Sequence, residues 1–441
     1  MIGVLLLLIA LLLYYSHKRA ESLLLFFVLL FKGMYLIPLA SDGIKTIDLS
    51  LIYIFVILLS HLLLGDITFF KGDKIVRLIN YLLLFFLCSI FFSFSYYNIP
   101  IGKTLIVVRG YMYILAYFII RGLSYKECQR LLTLLAVLTF VSCFLYCAQL
   151  PLGRPLLVLN HEMNTDTSKF GGLMRYTNFP PLRNMFIYLS FFAVGYYSKF
   201  VTFMWQRAIF LLALILPFGR GALFSVVVPL LLGVFSNNKK MIITIIVFSI
   251  LAFPLLSIVL ESFSEGRNTM DDLQLIADGG YVDYTTGYKA DSTSFTYRIA
   301  WLYERLRYIM NKPIIEWFFG LGLISEQDPL ASQMYRFYVV DYGNQSENFQ
   351  LLYSADIGYG NFITRFGILG TIAMMAIWIY LFKLFYRHKS NVLMMSALLL
   401  LIENFLETFA SRGVSETSAM VPFFLLLVYY NKQQALNRKM V

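Results

Sequence analysis

Apolar runs recur along almost the whole chain, near 2–15, 22–40, 49–64, 78–95, 103–120, 131–150, 184–198, 207–218, 221–236, 241–260, 357–385, 391–410 and 418–430. Many reach roughly 17 to 25 residues, the length an α-helix needs to cross about 30 Å of hydrocarbon. A chain of this pattern folds as an all-α polytopic membrane protein with about 12–13 transmembrane helices, because only helices and closed barrels satisfy their backbone in lipid. Only 14% of the 441 residues are charged, against about a quarter in soluble domains. The 17% aromatic content suits packed helices with interfacial anchors. The run at 207–218 is short, so it and its successor are expected to be tilted or re-entrant. The first run lacks a basic leader and a small-residue cleavage site, and reads as a retained helix.

Lysines and arginines fall in alternate short connections: Lys18 and Arg19, Lys71 to Arg77, Arg121 to Arg130, Lys199 and Arg207, Lys239 and Lys240, Arg387 and Lys389, and the C-terminal Lys432 to Lys439. Positive loops stay in the cytoplasm, which places the opposite connections outside and, with an odd helix count, the N-terminus outside too. The resulting organisation is 1–150 N-terminal helices, 151–183 a first long outer loop, 184–260 central helices with an outer FGRG turn, 261–356 a large outer loop, and 357–441 C-terminal helices with a cytoplasmic tail. The net charge of +11 lies partly in cytoplasmic loops, so nucleic acid is not the expected partner. The basic residues of the two outer loops run against the orientation bias and point to an anionic ligand. Within the large loop, Ser294–Pro313 has helical periodicity, with Ile299, Leu302, Leu306 and Ile309 or Met310 forming the apolar face and Arg298, Glu304, Arg305 and Arg307 around it.

Four dispersed histidines and four cysteines, three of them in apolar runs, assemble neither a metal site nor a histidine triad, and no glycine-rich nucleotide motif follows a strand. No cofactor and no metal are expected. The chemistry left is that of arginine, carboxylate and tyrosine. Arginine binds phosphate oxygens with a planar fork and keeps its charge when partly desolvated. Arg220 in the FGRG turn, Arg175 after a Gly-Gly pair, and Arg298 at the start of the amphipathic helix are therefore candidate phosphate ligands; each also has a plain reading as an interfacial or solvated loop arginine. Asp356 precedes an apolar helix and reads both as its N-cap and as a general base at the membrane surface. Arg365, Arg109, Glu403 and Glu407 lie within helices at outer-half depth. Intramembrane charges are usually paired, so salt bridges of Arg109 or Arg365 with Glu403 or Glu407 are expected, or else a polar cavity opening outward.

Four features in one order carry a resemblance: GGLMRYTNFPP, then GRGALFSVVVPLLLG, then SFTYRIAWLYERLRYIMNKPIIEWFFGLG, then DIGYGNFITRFGILG. The stretch from Gly171 to Trp378 resembles the O-antigen polymerases (Wzy), within the O-antigen ligase and polymerase superfamily. The resemblance implies a glycosyltransferase on the periplasmic face of a bacterial inner membrane, polymerising repeat units carried on undecaprenyl diphosphate, with a second lipid-linked glycan as acceptor. It implies no metal, inversion at the anomeric carbon, membrane lipids as surroundings, and a chain-length regulator and flippase as pathway partners. Positions resembling Arg220 and Arg298 hold the diphosphate in ligases of this group, with Arg175 assisting here. The histidine that opens the GxxG helix of the ligases is replaced by Asp356, which sets the chain closer to the polymerases. A ligase acting on lipid A core and a lipid-linked oligosaccharide transporter are the alternatives; the latter usually shows inverted repeats, which this chain lacks.

Overall fold

In a computed structural model the protein is described over residues 2–39, 46–158, 179–192, 204–216, 220–237, 294–325, 328–335, 337, 358–408 and 413–440. Among these residues the chain is helical, with no strand. The helices are α1 (Ile2–Tyr15), α2 (Arg19–Leu30), α3 (Thr46–Leu63), α4 (Lys74–Tyr97), α5 (Ile101–Arg109), α6 (Ala116–Arg121), α7 (Tyr125–Leu152), α8 (Arg183–Phe192), α9 (Met204–Ile215) and α10 (Arg220–Asn237). After these come α11 (Ser294–Met310), α12 (Ile314–Phe319), α13 (Pro329–Met334), α14 (Gly358–Arg387), α15 (Val392–Glu407) and α16 (Met420–Met440).

By length and composition α3, α4, α7 and α14 each suffice to cross a membrane, and α5 with the segment Met112–Arg121 makes a fifth span if counted as one. That pair is bent by 57°, so the apolar run at 103–120 is a broken helix and not the single straight one that its composition predicts. The short run before FGRG is a helix of 12 residues.

Local chemistry sets the helix starts. Asp73 caps α4, accepting from the amides of Ile75 (3.0 Å) and Val76 (3.2 Å). Ser124 and Glu127 form a reciprocal capping box at α7, and Asn391 caps α15. Each supplies acceptors to amides that lack an intrahelical partner. Inside the bundle, polar glue replaces the hydrophobic effect that lipid removes: the Ser22 hydroxyl lies 2.6 Å from that of Tyr53 and donates to the Ala10 carbonyl at 2.7 Å.

The basic connections gather at one end. Arg19 donates to the Gly122 carbonyl (3.0 Å), Arg121 to that of Phe69 (2.9 Å), and Arg130 pairs with Glu21. Lys74 stands over the Tyr380 ring. The alternation read from the sequence is thus a spatial fact for the described helices: α2, α4, α7 and α15 leave this end, and α3, α14 and α16 return to it.

At the far end a second, smaller core packs Ile99, Ile309, Leu321, Ile324, Tyr335 and Phe337 beside the main one. It is joined to the bundle at a bend. Gly367 interrupts α14 with φ 61° and ψ −163°, a conformation open essentially to glycine alone. The Thr364 carbonyl, which an unbroken helix would turn toward residue 368, instead accepts from the Leu321 amide at 2.8 Å. Gly320, with φ 76°, lies against Gly367 so closely that a Cβ on either would meet backbone within 2.7 Å.

The buried stripe of α11 includes Ile309 of the predicted face but departs from it elsewhere. Trp301, Arg305 and Ile309 are buried at i, i+4 and i+8, whereas Leu302 and Leu306 are half-buried. Arg305, expected on the polar side, is sandwiched between the Trp301 ring (4.5 Å) and the Phe337 ring (4.2 Å) and pairs with Glu304 at 2.5 Å. Stacking and the ion pair together hold a guanidinium where periodicity assigns it to water.

Candidate functional site

Two helix interruptions meet at the end of the bundle away from the basic connections. The first follows α2, where Lys32, Gly33, Met34 and Tyr35 take φ of 51°, 74°, 55° and 57°. Three of the four are not glycine, and each left-handed L-residue costs about 1–2 kcal/mol. The surroundings hold the turn: the Ser142 hydroxyl donates to the Met34 carbonyl (2.9 Å), the Val158 amide donates to that of Tyr35 (2.9 Å), and Met34 is fully buried. Strain of this kind persists only where packing over-determines it. The second interruption is the bend after α5, where the Gly110 carbonyl accepts from the Thr417 hydroxyl at 3.2 Å.

Between them, and against the start of α14 and the turns at 413–419, lies a cavity of about 380 Å³. This falls in the range of small-molecule sites, roughly 300–1,000 Å³. Among the described residues its charged lining is Lys32, Arg365 and Glu416, with Asn361, Ser415 and Ser418 as further polar groups and Phe31, Tyr35, Tyr111, Tyr113 and Phe179 as aromatic walls. Arg365 is oriented by donating from Nη1 to the Tyr111 hydroxyl at 2.9 Å. The Tyr113 hydroxyl is tied to the Ile47 carbonyl at 2.6 Å. Non-helical backbone at membrane depth is tolerated where it lines such a cavity. A larger groove between α4 and α12, lined by Leu87, Phe91, Tyr96 and Phe319 among others, is mostly apolar and open.

The sequence-predicted residues fare unevenly. Arg365 lines the cavity. Arg109 stands beside it on the residue before Gly110, but its partner is Asp48 of α3 at 3.2 Å and not a glutamate of α15. The end of α5 abuts the first turn of α3, which brings that aspartate nearest. Glu403 is buried and accepts from Asn184 of α8, so this glutamate serves the α8–α15 contact. Glu407, four residues on, closes the same helix. Arg220 is the first residue of α10 and Arg298 the fifth of α11, with their side chains outside the described part. Arg175 and Asp356 lie outside the described residues altogether; so does any convergence of Arg220, Arg298 and Asp356.

Lys32, Tyr111, Asn361 and Glu416 were not legible as site residues. The one usable signal was Lys32 itself, a lysine followed by glycine within an apolar run, at the end away from the basic connections.

No protein-family model matches the chain, and no curated protein matches it.

Proposed function

We propose that the protein is a membrane glycosyltransferase that polymerises undecaprenyl-diphosphate-linked oligosaccharide repeat units on the periplasmic side of a bacterial inner membrane. The observation that carries this reading is the cavity at the end opposite the basic connections, where cations, a carboxylate and tyrosines are gathered at two helix interruptions. The resemblance of the four ordered motifs to the O-antigen polymerases supports it independently. In the proposed reaction an acceptor hydroxyl attacks the anomeric carbon, the C1–O bond to the diphosphate breaks, and undecaprenyl diphosphate leaves with the electron pair. Cations that neutralise the leaving group lower the barrier. Arg220 and Arg298, assisted by Arg175, are proposed for that task, and Asp356 for accepting the hydroxyl proton.

The test is reconstitution of the full chain with synthetic undecaprenyl-diphosphate repeat units. Growth of a ladder without other proteins is expected, and its absence from well-folded protein overturns the reading. Arg298→Ala or Arg220→Ala should leave single repeats, with polymer formation reduced about 10²-fold or more. Asp356→Asn keeps a helix cap, so retained polymerisation would reduce that residue to a structural role. A second reading, a lipid-linked oligosaccharide flippase, is favoured by the 57° bend of α5 and its continuation beside the cavity, since discontinuous helices build transporter sites. The same vesicles decide: repeats that change leaflet without growing would establish it.

A further inference from the structure

The basic end of the bundle treats its cations in two ways. Arg19 and Arg121 donate to main-chain carbonyls and Arg130 pairs with Glu21, so those charges are met within the protein. On the seam where α4 packs against α14 they are not. Lys74 and Arg77 open α4 and Arg387 closes α14, and all three are exposed. The Lys74 ammonium stands 5.2 Å from the centre of the Tyr380 ring, and Arg77 and Arg387 lie within electrostatic reach of the Tyr380 hydroxyl. Among the described residues none of these three side chains has a hydrogen bond or an ion pair, and neither does that hydroxyl. Asp73, the carboxylate nearest in sequence, is occupied: it caps α4 and accepts from the Tyr117 hydroxyl.

Like charges gathered around one ring repel, and two of them sit at the positive end of the α4 dipole. An anion bound among them relieves both costs. The surface running away from the cations says which anion. Lys74, Arg77, Tyr81 and Leu84 recur at helical spacing on one face of α4, and all four are exposed; Ile379 and Phe382 of α14 are exposed too. One leaflet is about 15 Å deep, or about ten residues of helix, the interval from Lys74 to Leu84. A headgroup at the cations thus continues into hydrocarbon along the same face, which a soluble phosphate cannot use.

We propose that the α4–α14 seam is a binding site for an anionic phospholipid. Arg77 and Arg387 hold the phosphodiester oxygens with their planar forks, Lys74 adds its charge from over the Tyr380 ring, and the Tyr380 hydroxyl donates to the same group. The acyl chains lie along Tyr81, Leu84 and Phe382. Basic pockets between membrane helices suit such headgroups. This site lies at the end opposite the cavity and stands whether or not the protein is a polymerase.

The test is native mass spectrometry of the full chain released from detergent micelles, with phosphatidylglycerol and phosphatidylcholine of identical acyl chains in competition. Phosphatidylglycerol should be retained about tenfold or more in preference. Arg77→Gln combined with Arg387→Gln should lower that preference about tenfold, whereas Lys126→Gln, which removes an exposed cation of α7 at the same end, should leave it unchanged. Because the two arginine side chains have no partner in the protein, the double variant should keep its thermal midpoint in micelles holding phosphatidylcholine alone; a fall there would reveal an internal partner and overturn the proposal. Equal retention of the two lipids overturns it, and so does a preference that survives the double variant. A preference lowered as much by Lys126→Gln replaces the site with diffuse surface charge. Displacement of the lipid by soluble glycerol 3-phosphate at the same concentration overturns the lipid assignment.

Discussion

Arg305 is held at 0% exposure by two rings and one carboxylate, and lysine cannot replace it there, because an ammonium lacks the flat faces that stack on Trp301 and Phe337. Arg305→Lys should lower stability by about 1–2 kcal/mol, read as a fall in the thermal midpoint, whereas the exposed Arg307→Lys should leave it unchanged. Asp328 gives the outer segment a pH dependence. It caps α13 by accepting from the Leu330 amide (3.0 Å) and pairs with Lys103 at 2.8 Å, and the hydrogen bond from Lys103 holds its carboxyl below the usual range. A depressed carboxylate contributes stability above its unfolded pKa and loses it as pH falls through the folded one. Amide protection at Leu330 and Ala331, corrected for intrinsic exchange, should therefore be constant near neutrality and fall in acid below the ordinary carboxylate range. Asp328→Asn should lose the Lys103 pairing at every pH. At this scale the sequence was a poor guide: the second ring over Arg305 comes from Phe337, 32 positions later, and no helical period reports it.

Helix placement was far more legible than helix interruption. Apolar length alone marks α3, α4, α7 and α14, since span length is set by the bilayer and not by any partner. The breaks are set by partners. Ser142 and Val158 secure the turn after α2, and Thr417 secures the bend after α5 from more than 300 positions away. Only glycines hint at such places, and Gly367 is the case where the hint is also a requirement. Gly367→Ala would put a Cβ 2.5 Å from the Gly320 nitrogen and the Trp317 oxygen, on a backbone that costs a further 1–3 kcal/mol or so without glycine. The expected result is release of α12 from α14, measured as faster amide exchange over 314–324 with α3 and α7 unaffected. Unchanged exchange would show that the bend does not depend on that contact.

Among the described residues, the alternation of basic connections survives as a physical polarity, with the cavity at one end and Arg19, Arg121 and Lys74 at the other. That polarity was readable because charge bias in short loops is a local, additive signal. The cavity was not, since its described lining comes from six separated stretches between Leu30 and Ser418; of the candidate residues whose side chains are described, Arg365 is the one in that lining. Ser418→Cys and Lys389→Cys should be labelled by a membrane-impermeant thiol reagent from opposite sides of sealed vesicles. Labelling from the same side would refute the polarity.

The bond from the Leu321 amide to the Thr364 carbonyl also orders events in time. The ribosome releases Leu321 some forty residues before its acceptor, and that acceptor is free only once α14 has bent at Gly367. The segment carrying α11 and α12 must therefore wait, unanchored at this contact, until a later helix has been inserted and has folded. A chain stalled before Gly358 would hold every buried residue of the smaller core, yet lack Ile363 and the rest of α14 on which to dock it.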